Sequence, residues 1–265
     1  MILFLGDSFT WGQGLYYEKW YNELGISVNR INRTLPPNMN HENISYIDDL
    51  YRREHHYPNL VSKHFNKRYV TRYGNGGSNR NIINILENVN HQTIFEGIEL
   101  VIIQFTYWMR DIENPNLIQE YKKKYLINEV EALDMIMKHQ IEKVVSLLRS
   151  PQGYQVFKNG TNNWSHYDFF DKGNGLKFLF ICQEPEWAEY INKNYSEHLI
   201  KINYNNNEFN SLTEFVEYNN KLLNNKQKIL LSDEIGGCSD MHFSKQGHRL
   251  ISSSVIRKIE ELSLL

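Results

Sequence analysis

What this chain lacks excludes several classes of protein. Two cysteines, Cys182 and Cys238, in 265 residues are too few for a disulfide scaffold, so a reducing compartment is expected. No apolar run approaches the roughly 20 residues that cross a bilayer. Met1 to Leu5 is apolar, but it lacks a basic flank and a small-residue cleavage site and meets Gly6-Asp7 at once. It reads as a first strand and not as a signal peptide, which gives a cytoplasmic expectation with no membrane partner. Excess charge of one sign is also missing: 29 Lys+Arg against 31 Asp+Glu leave −2. Nucleic acid is therefore not expected as a partner. Alanine is nearly absent, at two residues, while asparagine reaches 32. That bias fits an AT-rich genome, such as that of a virus or a low-GC bacterium.

What remains is an ordinary globular composition, 41% hydrophobic and 23% charged, which argues against disorder. A chain of this length buries roughly three quarters of its unfolded surface. No linker interrupts it, so residues 1–265 read as one domain, with loop insertions near 13–56, 107–125 and 150–175.

Apolar runs at 2–5, 98–105 and 176–182 and an alternating segment at 68–73 predict strands, and Ile98 to Phe105 has the near-continuous apolar character of a parallel strand covered on both faces. Helical spacing predicts helices over 59–65, from Ile82 to Val89, over 126–148 and 210–223, and from Ser244 to Leu264. Residues 9–56 read as irregular, 150–175 as a hairpin or long loop, and 228–231 as a last short strand. Strands alternating with helices predict a parallel sheet with helices on both faces.

Ligands of such sheets sit at the carboxyl ends of the strands. The first strand ends in Gly6-Asp7-Ser8-Phe9-Thr10-Trp11-Gly12, with a serine on a sharp bend. The second ends in Gly76-Gly77-Ser78-Asn79, whose small residues leave backbone N–H groups to face an anion. Near the C-terminus stands Asp240-Met241-His242, followed by Gly247-His248. In an extended segment Asp240 and His242 project to the same side. A serine nucleophile needs such a base, with a group to hold it. Taken singly the pieces have plainer roles: Gly-Asp-Ser is common in turns, Asp240 can brace the last helix, and Ser244 can cap it. His248 reads as structural. His55-His56 lacks a third metal ligand nearby, and Cys238 reads as an incidental thiol. Glu184 either lines the pocket or starts a helix with Pro185. No cofactor and no metal are expected.

In their order along the chain these blocks resemble the SGNH hydrolases, also called the GDSL family. Gly6, Asp7, Ser8, Thr10 and Gly12 match the first block of that family, and Asp240, His242, Gly247 and His248 the last. Tyr57-Pro58-Asn59-Leu60 and Gly76 to Asn79 look like the second block and the helix before it. The resemblance implies a flavodoxin-like, three-layer α/β/α sandwich and ester or thioester hydrolysis. Ser8 would be the nucleophile, His242 the base and Asp240 its orienter. The third block departs from the family: where an asparagine donates to the oxyanion, this chain has Thr106-Tyr107-Trp108. Oxyanion or substrate contacts are then expected from the Gly77 to Asn79 turn, with Thr106 or Asn79 as side-chain donor and Trp108 as a wall limiting acyl size.

Aromatic and amide side chains in the long insertions suit a sugar ring, so the expectation is a serine esterase removing small acyl groups from carbohydrate. The alternatives are a catalytically retired carbohydrate-binding or structural module, and an acyltransferase. The sequence leaves the oligomeric state open.

Overall fold

Three runs are apolar at nearly every position and a fourth, Tyr69–Tyr73, alternates; each becomes a strand of one sheet. The computed structural model describes residues 1–12, 14–16, 18, 19, 46–73, 78–88, 97–107, 115–149, 154–157, 164–167, 176–222 and 242–265. In chain order these form β1 (Ile2–Gly6), α1 (Ser8–Trp11), α2 (Tyr46–His55), α3 (Tyr57–His64), β2 (Tyr69–Tyr73), α4 (Asn79–Asn88), β3 (Leu100–Phe105), α5 (Pro115–Tyr125) and α6 (Glu129–Arg149). There follow β4 (Tyr154–Phe157), β5 (Trp164–Tyr167), β6 (Lys177–Cys182), α7 (Pro185–Asn194), a 3-10 turn, β7 (Ile202–Tyr204), β8 (Asn207–Phe209), α8 (Leu212–Leu222) and α9 (Lys245–Glu261).

The main sheet runs β2-β1-β3-β6 with every pair parallel. β1 and β3 are buried at every position. Alternation along the strands sends their side chains to two separate cores. Ile2, Phe4, Leu100 and Ile102 pack against Tyr57 and Val61 of α3, Phe215 of α8, and Ile251 and Val255 of α9. Leu3, Leu5, Val101 and Ile103 pack against Ile82 of α4, Ile141 and Val144 of α6, and Trp187 of α7. Helices thus cover both faces, the mixed α/β arrangement that the apolar runs predict. Strand order reverses between β1 and β3, where such sheets open a crevice at their carboxyl ends.

Three expectations need correction. Residues 9–56 include helix α2, whose inward contact is polar. Arg52 is buried and donates from Nε to Tyr16 Oη at 2.9 Å and from its guanidinium to Asp49 Oδ1 at 2.8 Å, so little apolar periodicity marks the helix. The insertion near 107–125 includes helix α5, which packs Ile118 against Ala132 and Ile136 of α6. The helix expected over 126–148 starts at Glu129 instead. A reciprocal cap sets that start: Glu131 N–H donates to Asn128 Oδ1 at 3.0 Å, and Asn128 N–H donates to Glu131 Oε2 at 2.9 Å. The expected hairpin in 150–175 forms from β4 and β5, whereas the strand expected at 228–231 lies outside the described residues. Among the described residues no helix is long and apolar enough to cross a membrane.

Candidate active site

The carboxyl end of β1 is fixed by buried hydrogen bonds. Asp7 is buried. Its Oδ1 accepts the N–H of Phe9 at 2.9 Å, which turns the chain directly into α1, and its Oδ2 accepts the hydroxyl of Thr106 at 2.5 Å. The residues on either side of Ser8 are therefore tied to the end of β3. One turn further on, Thr10 Oγ1 donates to Gln104 Oε1 at 2.9 Å, and Tyr57 Oη lies 3.3 Å from both. This explains Gly6: a Cβ there would stand 2.0 Å from Thr10 Oγ1. Gly12 ends the segment at φ +86°, and a Cβ on it would meet the His56 Cβ at 3.0 Å. The glycines and threonine of the first block are thus set by packing beneath the turn that carries Ser8.

Asn79 and Thr106 form a second clamp. Thr106 N–H donates to Asn79 Oδ1 at 2.8 Å, and Asn79 Nδ2 donates to the Thr106 carbonyl at 3.3 Å. The amide thereby imitates a neighbouring strand and fastens the start of α4 to the end of β3. One or the other was expected to offer a side-chain donor to an oxyanion. In the structure the Thr106 hydroxyl is directed at Asp7, and the Asn79 amide at the main chain of Thr106. Their shown contacts brace the site.

His242 lies at the mouth of this region, 8% exposed. Its ring stacks on Phe9, the residue after Ser8, with centroids 4.7 Å apart and planes 27° from parallel. Phe9 also meets Phe243 at 5.3 Å and Tyr107 at 6.0 Å. The segment bearing His242 is held by the start of α9. Ser244 caps that helix by accepting Gly247 N–H at 3.2 Å, the role its sequence position predicts. Lys245 N–H donates to Glu18 Oε2 at 2.6 Å. Burial pushes the Glu18 carboxyl up, and the bond from Lys245 works against that rise.

His248 lies deeper and has different surroundings. It is fully buried, and its Nδ1 accepts the N–H of Tyr57 at 3.3 Å. Burial pushes its pKa down to about 3, with the nearby charge of His242 adding to the effect. It is a neutral structural element that joins α9 to α3. His56 Nε2 pairs with Tyr69 Oη at 2.9 Å, and no group of three or more His, Cys, Asp or Glu able to hold a metal occurs among the described residues. Glu184 stands at the N-cap position of α7 without a side-chain capping bond, and its carboxylate accepts Trp187 Nε1–H at 3.2 Å. Burial raises the Cys182 thiol well above its ordinary value, which leaves it unreactive.

Asp240, Gly76, Gly77, Trp108 and Cys238, and the side chain of Ser8, lie outside the described residues. Two residues that shape the site escaped sequence reasoning. Gln104 is a fully buried polar residue inside an apolar strand, and that interruption of the run Leu100 to Phe105 is a readable signal. Gln183, just past β6, donates from Nε2 to Tyr107 Oη at 3.1 Å and so links a third strand end to the same mouth. Compared with protein-family models, with curated proteins and with solved structures, the chain matches none.

Proposed function

We propose that the chain is a serine esterase of the SGNH hydrolase class that removes small acyl groups, such as acetyl, from carbohydrate. The observation that carries this reading is the stack of His242 on Phe9. A histidine from the far end of the sequence stands beside the residue that follows Ser8, at the carboxyl end of β1. Ser8 Oγ attacks the ester carbonyl while His242 accepts its proton. The tetrahedral intermediate then expels the alcohol, which takes the proton back from His242, and leaves an acyl-Ser8 ester. Water, deprotonated by His242, attacks that ester and releases the acid. Asp240, two residues before His242, orients the ring and stabilises its charged form.

The developing oxyanion needs donors about 3 Å away. With Thr106 and Asn79 occupied in bracing, the donors in this reading are the backbone N–H of Ser8 and those of the 77–79 turn. Ser8 and Asn79 each stand at the start of a helix, where an N–H has no partner inside the helix. Trp108 walls the acyl pocket, which favours acetyl over long chains. The carbohydrate part of the reading rests on the aromatic and amide side chains of the insertions.

One observation favours a second reading, a retired binding module of the same class: Tyr107-Trp108 replaces the asparagine of the third block. Hydrolysis of p-nitrophenyl acetate separates the two. The esterase reading expects turnover that Ser8→Ala abolishes and His242→Ala lowers by about 10³-fold or more, with both variants folded. Turnover that survives Ser8→Ala, or is absent from the native chain, would favour the module.

A further inference from the structure

A groove of about 380 Å³ runs between α4, α5 and α6. Its volume falls in the lower part of the range that holds small molecules. Its floor is aliphatic, from Ile83 and Ile136, and its walls carry paired polar groups. Lys143 and Glu87 form an ion pair across it at 2.9 Å, so these two charges cancel. Tyr121 lines one side, with its hydroxyl fixed by His139 Nδ1 at 3.0 Å.

Gln140 is the feature that needs explaining. It lines the groove from α6, is only 7% exposed, and its buried Oε1 has no hydrogen-bond partner. A buried amide oxygen without a partner destabilises a fold, and leucine would fill the same helical position at no such cost. An amide both donates and accepts. Beside it stand the ion-paired Lys143 and Glu87, the Arg80 guanidinium at one end, an aliphatic floor and a half-buried phenol ring. A neutral sugar ring requires this combination, with C–H faces that pack on apolar and aromatic surface and hydroxyls that both donate and accept.

We propose that this groove is a binding site for a neutral hexose unit, separate from the hydrolytic site and independent of Ser8. Helix α4 joins the two: its first residue, Asn79, braces Thr106, and its next residue, Arg80, opens the groove. A glycan seated there would be carried on the same rigid helix that supports the candidate active site.

The test is titration of the full chain with methyl glucoside, methyl galactoside and N-acetylglucosamine, followed by saturation-transfer NMR and calorimetry, with glucuronate as the charged comparison. At least one neutral sugar is expected to bind in the millimolar range. Gln140→Leu and Tyr121→Ala should each weaken it by about tenfold or more, and Ser8→Ala should leave it unchanged, so loss of hydrolysis and loss of binding are read apart. Gln140→Leu should also raise the melting temperature, because it removes the unpaired amide oxygen. The proposal is overturned if no neutral sugar binds, if binding survives both groove substitutions, if glucuronate binds more tightly than every neutral sugar, or if Gln140→Leu lowers stability.

Discussion

On the side covered by α3, α8 and α9, the sheet carries a buried polar column: Thr10, Gln104, Tyr57 and His248, joined from the turn bearing Ser8 to the start of α9. On the side covered by α4, α6 and α7, Phe105 stacks on Trp187 at 5.1 Å and 16°, among Phe180, Ile141 and Val144. Among the described residues the first core joins its buried polar groups into a hydrogen-bonded column, whereas on the second side Gln140 keeps a buried oxygen without a partner. Apolar packing is enough to hold a sheet together. The polar column lies under the turn from Ser8 to Gly12, and its hydrogen bonds fix the direction of that turn in a way that non-directional packing cannot.

The contrast can be broken from either side. The largest effect is expected on the apolar side, where Trp187→Ala should lower stability by about 3–5 kcal/mol and leave the pH dependence of any hydrolysis unaltered. Denaturant unfolding beside a pH–rate profile measures both. On the polar side Gln104→Leu removes the acceptor of Thr10 and Tyr57, at a cost of about 1–3 kcal/mol. Unlike Trp187→Ala, it should lower kcat in the folded protein, because Thr10 lies in the same short helix as Ser8. An unchanged kcat would reduce the column to a packing device.

An effect of comparable size, set by pH, comes from His248. Its folded pKa lies far below the ordinary histidine value, so below about pH 6.5 the unfolded chain binds a proton that the folded chain refuses. Stability is fully present above that pH. It falls on acidification by about 1.4 kcal/mol per pH unit, down to about pH 3. Partly buried His55 and His198, lowered in the same direction by burial, add to the slope. His248→Asn keeps an acceptor for Tyr57 N–H and should flatten the loss by one proton between pH 6 and 4. Melting temperatures of both proteins across that range test it.

The apolar strands were legible because burial on both faces leaves near-continuous runs, as in Leu100 to Phe105. The cap at Ser244 was legible because its hydroxyl is two residues from His242 and directly before a helical stripe. Helix α2 was not, since it docks through Arg52 and Tyr16, a contact that exists only after folding. The start of α6 could have been read from Asn128 and Glu131, spaced as a reciprocal cap, but the apolar residues around them extended the helical pattern past the true boundary. At the site, the sequence pointed to Asp7, Thr106 and Asn79 as neighbours of Ser8. Which atoms of theirs face one another depends on the register of β1 against β3, and composition and spacing do not specify that.

The central claim is that Ser8 is acylated with His242 as its base. It is tested most directly by acid-quenching the protein during reaction with p-nitrophenyl acetate and locating the adduct by peptide mass spectrometry. The account predicts an acetyl group on the peptide carrying Ser8, absent from Ser8→Ala and accumulating far more slowly in folded His242→Ala. Acetylation elsewhere at the same rate, or an adduct that forms equally fast without His242, would contradict it.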